Sequence, residues 1–459
     1  MSEVKSDRYR MMTETPVPKL ITKLAIPTII SMLVTGFYNI ADTYFVAQVP
    51  GKGTLATAAV GIIFPMMAFI QALGFFFGHG SGNFLSRMLG AGKKKEALEM
   101  ASTGFAMALI FGVVVMLLGN LFIHPITEFL ASSDVTEETL DFSIQYGRII
   151  LVGAPFMICQ FVLNNQLRFQ GSATYAMVGL MAGAVMNVAL DPILILGFDM
   201  GVTGAAIATV AGQITSFFIL LLGSKRGENI KLKLSNVHIN GYYIKEVING
   251  GAPSLLRQGL AAVASILMNR AAGEYGAEAA IAGMSIVTRV CMMVASAVSG
   301  CGQGYQPVCS VNYGAGLKSR VKQGYWFCIR WGTVFLTVLS VVCIIFAPQI
   351  ISMFRDDPDV VSVGAAALRY QAATMPLLTT NFLSNMMLQS MGKGVKASIS
   401  AMARNGIFFI PAILILPELL GLQGVEMAQM VADICSFAMV IPLARSELKK
   451  MKEAIYLSS

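Results

Sequence analysis

The chain has 459 residues, of which 55% are hydrophobic and only 13% are charged, and its mean hydropathy is +0.68. Soluble domains carry roughly 25% charged residues, so this chain lacks the charges that a water-exposed surface of its size needs. The composition excludes a secreted disulfide scaffold, an intrinsically disordered chain and a nucleic-acid-binding protein. It indicates a polytopic membrane protein.

Twelve apolar segments follow a polar N-terminus. Residues 1–19 are too polar for a signal peptide and no small-residue cleavage site follows the first apolar run, so we expect that run to stay as a signal anchor. A helix that spans a bilayer needs about 20 residues. By that length, the predicted spans lie near 22–47, 54–81, 98–123, 142–166, 172–197, 201–223, 247–272, 279–305, 321–346, 361–388, 394–417 and 424–445. Open strands cannot satisfy their backbone in lipid and barrel strands would alternate in polarity, so the sequence predicts an all-α polytopic membrane protein.

The basic residues are unevenly divided between the two sets of loops. One set, which includes both termini and the segment 224–246, holds most of the lysines and arginines, whereas the other holds only Lys52 and Arg355 beside a group of acids. Because cytoplasmic loops are enriched in basic residues, this pattern predicts a multi-pass membrane protein with both termini in the cytoplasm. It also explains the net charge of +8 without a nucleic-acid partner.

The two halves of the chain resemble each other. AIPTII around Pro27 matches GAPSLL around Pro253, and LRFQGSA matches LQSMGKG. Each half contains six spans and begins in the cytoplasm, so the sequence predicts two six-helix lobes related by a pseudo-two-fold axis along the membrane normal. The predicted domains are an N-terminal lobe, a cytoplasmic linker and a C-terminal lobe, at 1–223, 224–246 and 247–459. Two such bundles that flank a cavity are typical of an alternating-access transporter.

Two intramembrane acids of the N-terminal lobe are the main candidates for function. Asp42 in the first span and Asp191 in the fifth lie at similar predicted depth within the membrane. A charge at the bilayer centre costs roughly 2.5–3.5 kcal/mol, so each intramembrane acid needs a reason. Each has an amide one helical turn earlier, Asn39 and Asn187 respectively. Such a group of oxygens can bind a proton near neutral pH or a sodium ion, and the sequence leaves both open. Packing is the competing interpretation, but the repeat partners Met268 and Ile410 are apolar, which favours function.

Intramembrane arginines lie mostly in the second half of the chain. Arg257 and Arg404 are too deep in their predicted spans for their charged ends to reach the interface. Asp433 is a candidate neutralising partner for one of them, and the sequence does not say which. The chain contains no P-loop, zinc-protease or serine-hydrolase motif, so neither ATP-driven transport nor hydrolysis is indicated.

Several motifs resemble the multidrug and toxic compound extrusion (MATE) family over essentially the whole chain. They are AIPTIISMLVTGFYNIADTYFVAQ, the GAG after the second span, and LRFQGSATYAMVGLMAGAVMNVALDPILILGF. Within the family the chain is most similar to the DinF-type branch, near the MepA-like bacterial drug pumps. The resemblance implies a cation site at Asp42, Asn187, Asp191 and Thr209, and a drug cavity lined by Met32, Tyr38 and Asn164. The NorM-type branch has an acid in its seventh span, where this chain has Arg257 and Gln258 instead.

The leading hypothesis is therefore a secondary antiporter in which entry of H⁺ or Na⁺ drives export of amphipathic, cationic drugs, and hence antibiotic resistance. Its predicted partners are membrane lipids and small-molecule drugs, the protein is predicted to be a monomer, and no cofactor or further metal site is expected. Span one is predicted to bend at Pro27, since proline removes a backbone hydrogen bond. The alternatives are a lipid or lipid-linked glycan flippase, suggested by the C-lobe arginines, and, more remotely, an integral membrane enzyme.

Overall fold

The structure, a computed structural model, describes residues 7–131 and 135–456, apart from the side chains of 39, 40, 277 and 452–456. Within those residues the chain is almost entirely helical and contains no strand. This confirms the predicted all-α fold class. The helices are longer than the predicted spans because their polar ends continue beyond the apolar segments.

The first half of the chain forms eight α-helices. Two of them, α1 and α5, have only 8 residues each, and the other six contain the six predicted spans. In chain order the helices are α1 Asp7–Glu14, α2 Val17–Val46, α3 Gly53–Gly90, α4 Lys94–Leu121, α5 Ile123–Leu130, α6 Glu137–Phe169, α7 Ala173–Pro192 with a π-helical continuation Ile193–Gly197, and α8 Gly201–Ser224.

The second half begins with a short 3₁₀ turn at Leu234–Asn236 and contains the remaining six spans in five longer stretches of helix. It also contains one short helix, α11 (Ala347–Ser352), that holds no span. In chain order these are α9 Gly241–Gly314, α10 Lys318–Ile345, α11 Ala347–Ser352, α12 Pro358–Ser390, α13 Gly394–Met402, a π-helical segment Ala403–Ile407, α14 Phe409–Leu420 and α15 Leu422–Tyr456. The segment from α13 to α14 makes one span.

Helix α9 contains two predicted spans in one helical run of 74 residues. A straight helix of that length would extend about 110 Å, whereas the bilayer core is about 30 Å thick. A Cβ atom added to Gly276 would collide with the Ala280 side chain, although residues four apart in a regular helix have Cβ atoms about 6 Å apart. The helix axis therefore bends sharply at Gly276, between the seventh and eighth spans.

Ten of the twelve predicted spans lie in helices of the described chain that are long and apolar enough to cross a bilayer. The remaining two, 247–272 and 361–388, lie in the first arm of α9 and in α12. Both helices have the necessary length but contain more polar residues, among them Arg257, Arg270 and Arg369. Many large apolar side chains on the spans are exposed, as expected of surfaces that face lipid.

The chain divides into two compact units. The N-terminal unit runs up to Met11 and from Ile30 to Gly251, and the C-terminal unit comprises Met12–Ile29 and everything from Ala252 onward. The start of α2 thus belongs to the C-terminal unit, and the start of α9 to the N-terminal one. The boundaries at 223 and 247, which follow the sequence repeat, stay a prediction about the two halves.

Glycines allow these helix ends to pack closely within each unit. In the N-terminal unit, Gly80 on α3 faces the backbone oxygen of Val247 with no room for a side chain. In the C-terminal unit, a Cβ on Gly304 would lie 2.5 Å from the Ala25 Cα, and one on Gly300 would lie 2.8 Å from the Ile29 Cα. The backbones of α2 and α9 therefore approach each other as only glycine permits.

Each unit has its own apolar core. In the N-terminal unit the core is built mainly from α3, α6 and α8, with side chains such as Ile63, Phe77 and Ile158 fully buried. In the C-terminal unit it is built from α9, α12 and α15, with Met284 and Leu368 at its centre. The rigid helices around these cores position the polar side chains described next.

Candidate functional site

Two acids and two polar side chains meet within the N-terminal unit. Asp42 lies on α2, Asn187 and Asp191 lie one turn apart near the end of α7, and Thr209 lies on α8. The Asn187 Nδ2 donates to the Thr209 Oγ1 at 3.4 Å, and both side chains lie close enough to the Asp42 carboxylate to interact with it. Asp191 is fully buried and lies close enough to Asp42 for their charges to repel. The structure therefore brings together four of the five predicted cation-site residues.

The local fold of α7 explains where Asp191 is placed. Pro192 follows it directly, and the chain continues as a π-helical segment in which Phe198 N donates to Ile193 O at 2.9 Å. Proline cannot donate a backbone hydrogen bond and so interrupts the regular helical ladder. Single π-helical turns of this kind occur frequently at functional sites. The acid thus lies where α7 changes from a regular helix to a wider turn.

The cluster presents several buried oxygen atoms that have no hydrogen-bond partner among the described residues. They are the Asp42 Oδ1, the Asn187 Oδ1 and both carboxylate oxygens of Asp191. A buried carboxylate without a partner is costly, and it is stabilised when a cation or proton compensates its charge. Carboxylate and amide oxygens are also the ligands that hard cations prefer. The donor set therefore fits the predicted Na⁺ or proton.

The fifth predicted cation-site residue is Asn39. Its side chain lies outside the described residues, so its part in the site stays a prediction.

Two side chains that sequence reasoning missed also belong to the cluster. The Gln213 side chain, one turn after Thr209 on α8, lies beside Tyr38 along the same cavity. The Tyr146 hydroxyl, which comes from α6, interacts with Thr209 and lies 3.6 Å from the Met67 Sδ. Gln213 could have been found as an intramembrane amide on the same helix face as Thr209. Nothing in the sequence distinguishes Tyr146 from other buried tyrosines.

A cavity lies beside this cluster within the N-terminal unit. Its wall is shared by α2, α6, α7 and α8, and it includes one of the three predicted drug-binding residues, Tyr38. The remaining lining residues are Thr35, Gln160, Phe161, Leu180, Gly183, Ala184, Asn187, Thr209, Gly212, Gln213 and Ser216. Asn187 and Thr209 are thus common to the cavity and the cation site.

The structure places the other predicted drug-binding residues elsewhere. Met32 is half-buried on α2 and is not among the residues that line the described cavity. Asn164 is buried, and its Nδ2 donates to the Ala176 backbone oxygen at 3.0 Å, which joins α6 to α7. The second half repeats this bond, since Asn385 Nδ2 donates to the Ala397 oxygen. Asn164 therefore has a packing partner, and its role in drug binding stays a prediction.

In the C-terminal unit, Asp433 pairs with Arg404. The Arg404 Nε donates to the Asp433 Oδ1 at 2.7 Å, and Gln429 and Thr374 donate to the same carboxylate at 3.0 and 3.3 Å. Arg257 instead donates to the Asn385 Oδ1 at 3.1 Å. Among the described residues, no ion pair neutralises Arg257. The sequence identified these charged residues but could not say how they pair.

Comparison with known proteins identifies the family. A family model described as MatE matches residues 27–193 and 253–415, one range in each half of the repeat. The multidrug export protein MepA of Staphylococcus saprophyticus is 28% identical over 449 residues, which cover 97% of this chain and 98% of that protein. A solved structure described as the outward-facing conformation of a multidrug resistance MATE family transporter superposes with a TM-score of 0.90 at 26% identity, over 98% of this chain and 100% of that one.

A second solved structure, described as a MATE in the bent conformation, has a TM-score of 0.90 and 25% identity over 98% of this chain and 99% of its own. The neighbours and relatives are transporters, and the match extends through both repeat halves. The chain is therefore a multi-pass membrane transporter and no enzyme, and it belongs to the MatE family.

Proposed function

We propose that this transporter is an antiporter in which binding of H⁺ or Na⁺ at Asp42 and Asp191 drives export of amphipathic, cationic drugs. One observation carries the proposal. The buried and unpartnered oxygens of the two acids and of Asn187 lie beside a cavity, and Asn187 and Thr209 contribute to both. The relative named multidrug export protein MepA supports drugs as the substrate.

The shared residues suggest how the two ligands compete. When the acids carry no cation, their negative charge favours a cationic drug in the adjoining cavity. When a cation or proton neutralises them, that attraction is lost, and the hydrogen bonds of Asn187 and Thr209 can turn toward the cation. Each ligand therefore weakens the other by the same factor, as thermodynamic linkage requires.

The driving force is sufficient for export. One charge that crosses 100 mV supplies about 2.3 kcal/mol, and a tenfold inward ion gradient adds about 1.4 kcal/mol. Together they support roughly a 500-fold gradient of an uncharged drug per ion. A monovalent cationic drug exchanged one for one is driven only by the chemical part, because no net charge then crosses.

Helix α2 provides a place where this binding could change the structure. Pro27 lies inside α2, two residues before the helix passes from the C-terminal unit to the N-terminal one. A helix bends most easily at proline, and one structural neighbour is described as a MATE in the bent conformation. We infer that the charge state of Asp42, on the same helix, selects between two packings of α2.

The test is efflux of a fluorescent cationic dye from proteoliposomes under separately imposed proton and sodium gradients. Asp42→Asn and Asp191→Asn are each expected to abolish gradient-driven efflux, because an amide has the same volume but neither binds a proton nor offers a charge to sodium. Elution of each variant as a single species in detergent checks that it is folded.

Glu426→Gln is the matched control. It makes the same carboxylate-to-amide change at a buried acid in a membrane helix, α15, far along the chain from the cluster. We expect its efflux to remain near normal. Near-normal ion-driven efflux in either aspartate variant would contradict the proposed coupling site.

A second candidate function is export of a lipid or lipid-linked glycan. It is favoured by Arg257 and Arg404, two guanidinium groups in the C-terminal unit that could hold a phosphate. The test is movement of a fluorescent lipid between the two leaflets of the same proteoliposomes, with no imposed ion gradient. Lipid movement that a cationic dye does not affect would favour lipid export over drug export.

We also infer that both termini lie in the cytoplasm and that the protein acts as a monomer. The first inference rests on the basic residues of the segment 224–246 and of the terminal helices. The second rests on the observation that each candidate site is formed within one chain. Labelling of an introduced cysteine at Ser235 with a membrane-impermeant maleimide tests the orientation, and light scattering in detergent tests the monomer.

A further inference from the structure

A second cavity lies within the C-terminal unit. Its lining includes Arg257 from α9, Asn385 from α12, Arg404 from the π-helical segment, and Ser400 from α13. None of these residues takes part in the proposed drug and cation site of the N-terminal unit. The cavity therefore needs an account of its own.

The two cavities occupy corresponding places in the repeat. At the register that aligns Leu167 with Leu388 in the matched LRFQGSA and LQSMGKG segments, cavity residues correspond pairwise in the two units. Gln160, Phe161, Leu180, Gly183 and Ala184 correspond to Asn381, Phe382, Ala401, Arg404 and Asn405. The fold thus builds one type of cavity twice, and in the second unit an arginine stands where the first has a glycine.

The charge of the second cavity is opposite to that of the first site. Arg257 makes one hydrogen bond, to the neutral amide oxygen of Asn385, and no carboxylate in the described part of the chain neutralises it. Arg404 donates from its Nε to Asp433 and also lines the cavity, so its two terminal nitrogens are not used in that ion pair. Of the two guanidinium groups, only that of Arg404 is paired with a carboxylate of the described residues. The positive charge of Arg257 is therefore left uncompensated.

Two further polar atoms in the cavity wall have no hydrogen-bond partner among the described residues. Ser400 is only 6% exposed, and its hydroxyl oxygen has no hydrogen-bond partner among the described residues. The Asn381 Oδ1 is likewise an unpartnered acceptor, so a ligand that fits would also bring one donor. Buried polar groups of native proteins are normally satisfied, and those that are not require an explanation.

The remaining wall is apolar. The Phe382 ring lies with its centroid 6.0 Å from the Arg404 guanidinium carbon, which holds that side chain beside the cavity. Ala401 contributes a second apolar surface. The two arginines offer several N–H donors, which can bind an oxyanion. The aromatic ring beside them can contact an apolar group attached to that oxyanion.

We propose that this cavity binds the oxyanion head, a carboxylate or a phosphate, of an amphipathic ligand. The protein would then carry two charge-selective sites, one for a cation in the N-terminal unit and one for an anion in the C-terminal unit. The anion site does not require that the N-terminal unit export drugs, and its test measures binding rather than transport.

The probe is 11-(dansylamino)undecanoate, a fluorescent amphiphile with a terminal carboxylate, compared with its methyl ester. Both are titrated into the full-length chain purified in a neutral detergent. We expect the acid to bind at least tenfold more tightly than the ester, because only the acid can pair with the uncompensated guanidinium. In Arg257→Gln this preference is expected to disappear, while the affinity for the ester changes by less than twofold.

Arg330→Gln is the matched control, since Arg330 is exposed on α10 and does not line the cavity. It should keep the preference for the acid. Arg257→Lys retains the charge without the planar fork, and we expect it to keep part of the preference. Equal affinities for acid and ester in the natural chain, or an equal loss in Arg330→Gln, would overturn the proposal.

Two further titrations identify the source of the oxyanion. In one, inorganic phosphate competes with the probe in detergent, at an ionic strength matched with chloride. In the other, the chain is placed in nanodiscs of phosphatidylcholine or of phosphatidylglycerol. Competition by phosphate alone supports a soluble anion, and weaker probe binding in phosphatidylglycerol alone supports a lipid headgroup.

Discussion

At the scale of the residue, the two units treat buried charge in opposite ways. In the N-terminal unit Asp42 and Asp191 have hydrogen bonds from neutral groups at most, and several of their oxygens have no partner in the described chain. In the C-terminal unit Asp433 is 2% exposed and is held by Arg404, Gln429 and Thr374. An acid with such partners is part of the structure, whereas an acid without them is available for a ligand.

The Arg404–Asp433 pair allows a test of its structural role. Removal of one partner of a buried pair costs roughly 3–5 kcal/mol, because the other charge is left uncompensated. We therefore expect Arg404→Gln to lower the thermal unfolding midpoint markedly, and Arg404→Gln/Asp433→Asn to recover most of the loss. The measurement is the unfolding midpoint of each variant in the same detergent. If the losses of the single variants simply add in the double variant, the two side chains do not interact as described.

At the scale of the element, proline and glycine decide where the helices bend and how closely they pack. Pro192 follows Asp191 and precedes the π-helical turn, and Pro27 lies within α2. The sharp bend of α9 lies at Gly276. Gly304 allows the backbone of α9 to approach α2 within the C-terminal unit. These residues are too small or too constrained to contribute much apolar surface, and their effect is geometric.

Gly304 and Gly259 make a matched pair of positions on α9. Alanine at Gly304 would place its Cβ 2.5 Å from the Ala25 Cα, whereas nothing lies within 4 Å of the corresponding atom at Gly259. Both substitutions gain helix propensity of about 1 kcal/mol, but overpacking costs typically 1–3 kcal/mol. We expect Gly304→Ala to lower the thermal unfolding midpoint and Gly259→Ala to raise it or leave it unchanged. A higher midpoint for Gly304→Ala would contradict the close packing of α2 on α9.

At the scale of the whole molecule, one fold is used twice with different chemistry. Five lining residues of one cavity correspond to five of the other, yet the first cavity adjoins two acids and the second is lined by two arginines. Both units also share a structural hydrogen bond, made by Asn164 in the N-terminal unit and by Asn385 in the C-terminal unit. The repeat therefore constrains the architecture, and the charges within each cavity are free to differ.

Competition between cation and drug can be measured on the whole protein. We expect the affinity for a fluorescent cationic dye to fall in detergent as either the proton or the sodium concentration rises, and to be insensitive to the other ion. The reason is that neutralised acids no longer attract the dye. Pro27→Ala, which restores a regular helix, is expected to reduce transport more than it reduces dye affinity. Dye affinity that stays constant in both series would place the coupling outside Asp42 and Asp191.

The amino-acid sequence by itself determined the class, the spans and the residues to examine. Long apolar segments have few alternatives to helices in a bilayer, because every backbone polar group must be satisfied within the segment. Intramembrane acids are costly enough to stand out, and the resemblance to a family added Thr209 and Tyr38, which lie with Asn187 along one cavity. These inferences depend on local chemistry and spacing, which a sequence records directly.

Only the tertiary structure decided which distant side chains meet. It placed Tyr146 and Gln213 in the cluster, gave Asn164 a backbone partner, and paired Asp433 with Arg404 while leaving Arg257 without a carboxylate in the described chain. Such partners are set by how helices rotate and pack, and a one-dimensional pattern gives the face of a helix but not its neighbour. The charge of each cavity follows from those neighbours, so it could be assigned only when the helices were in place.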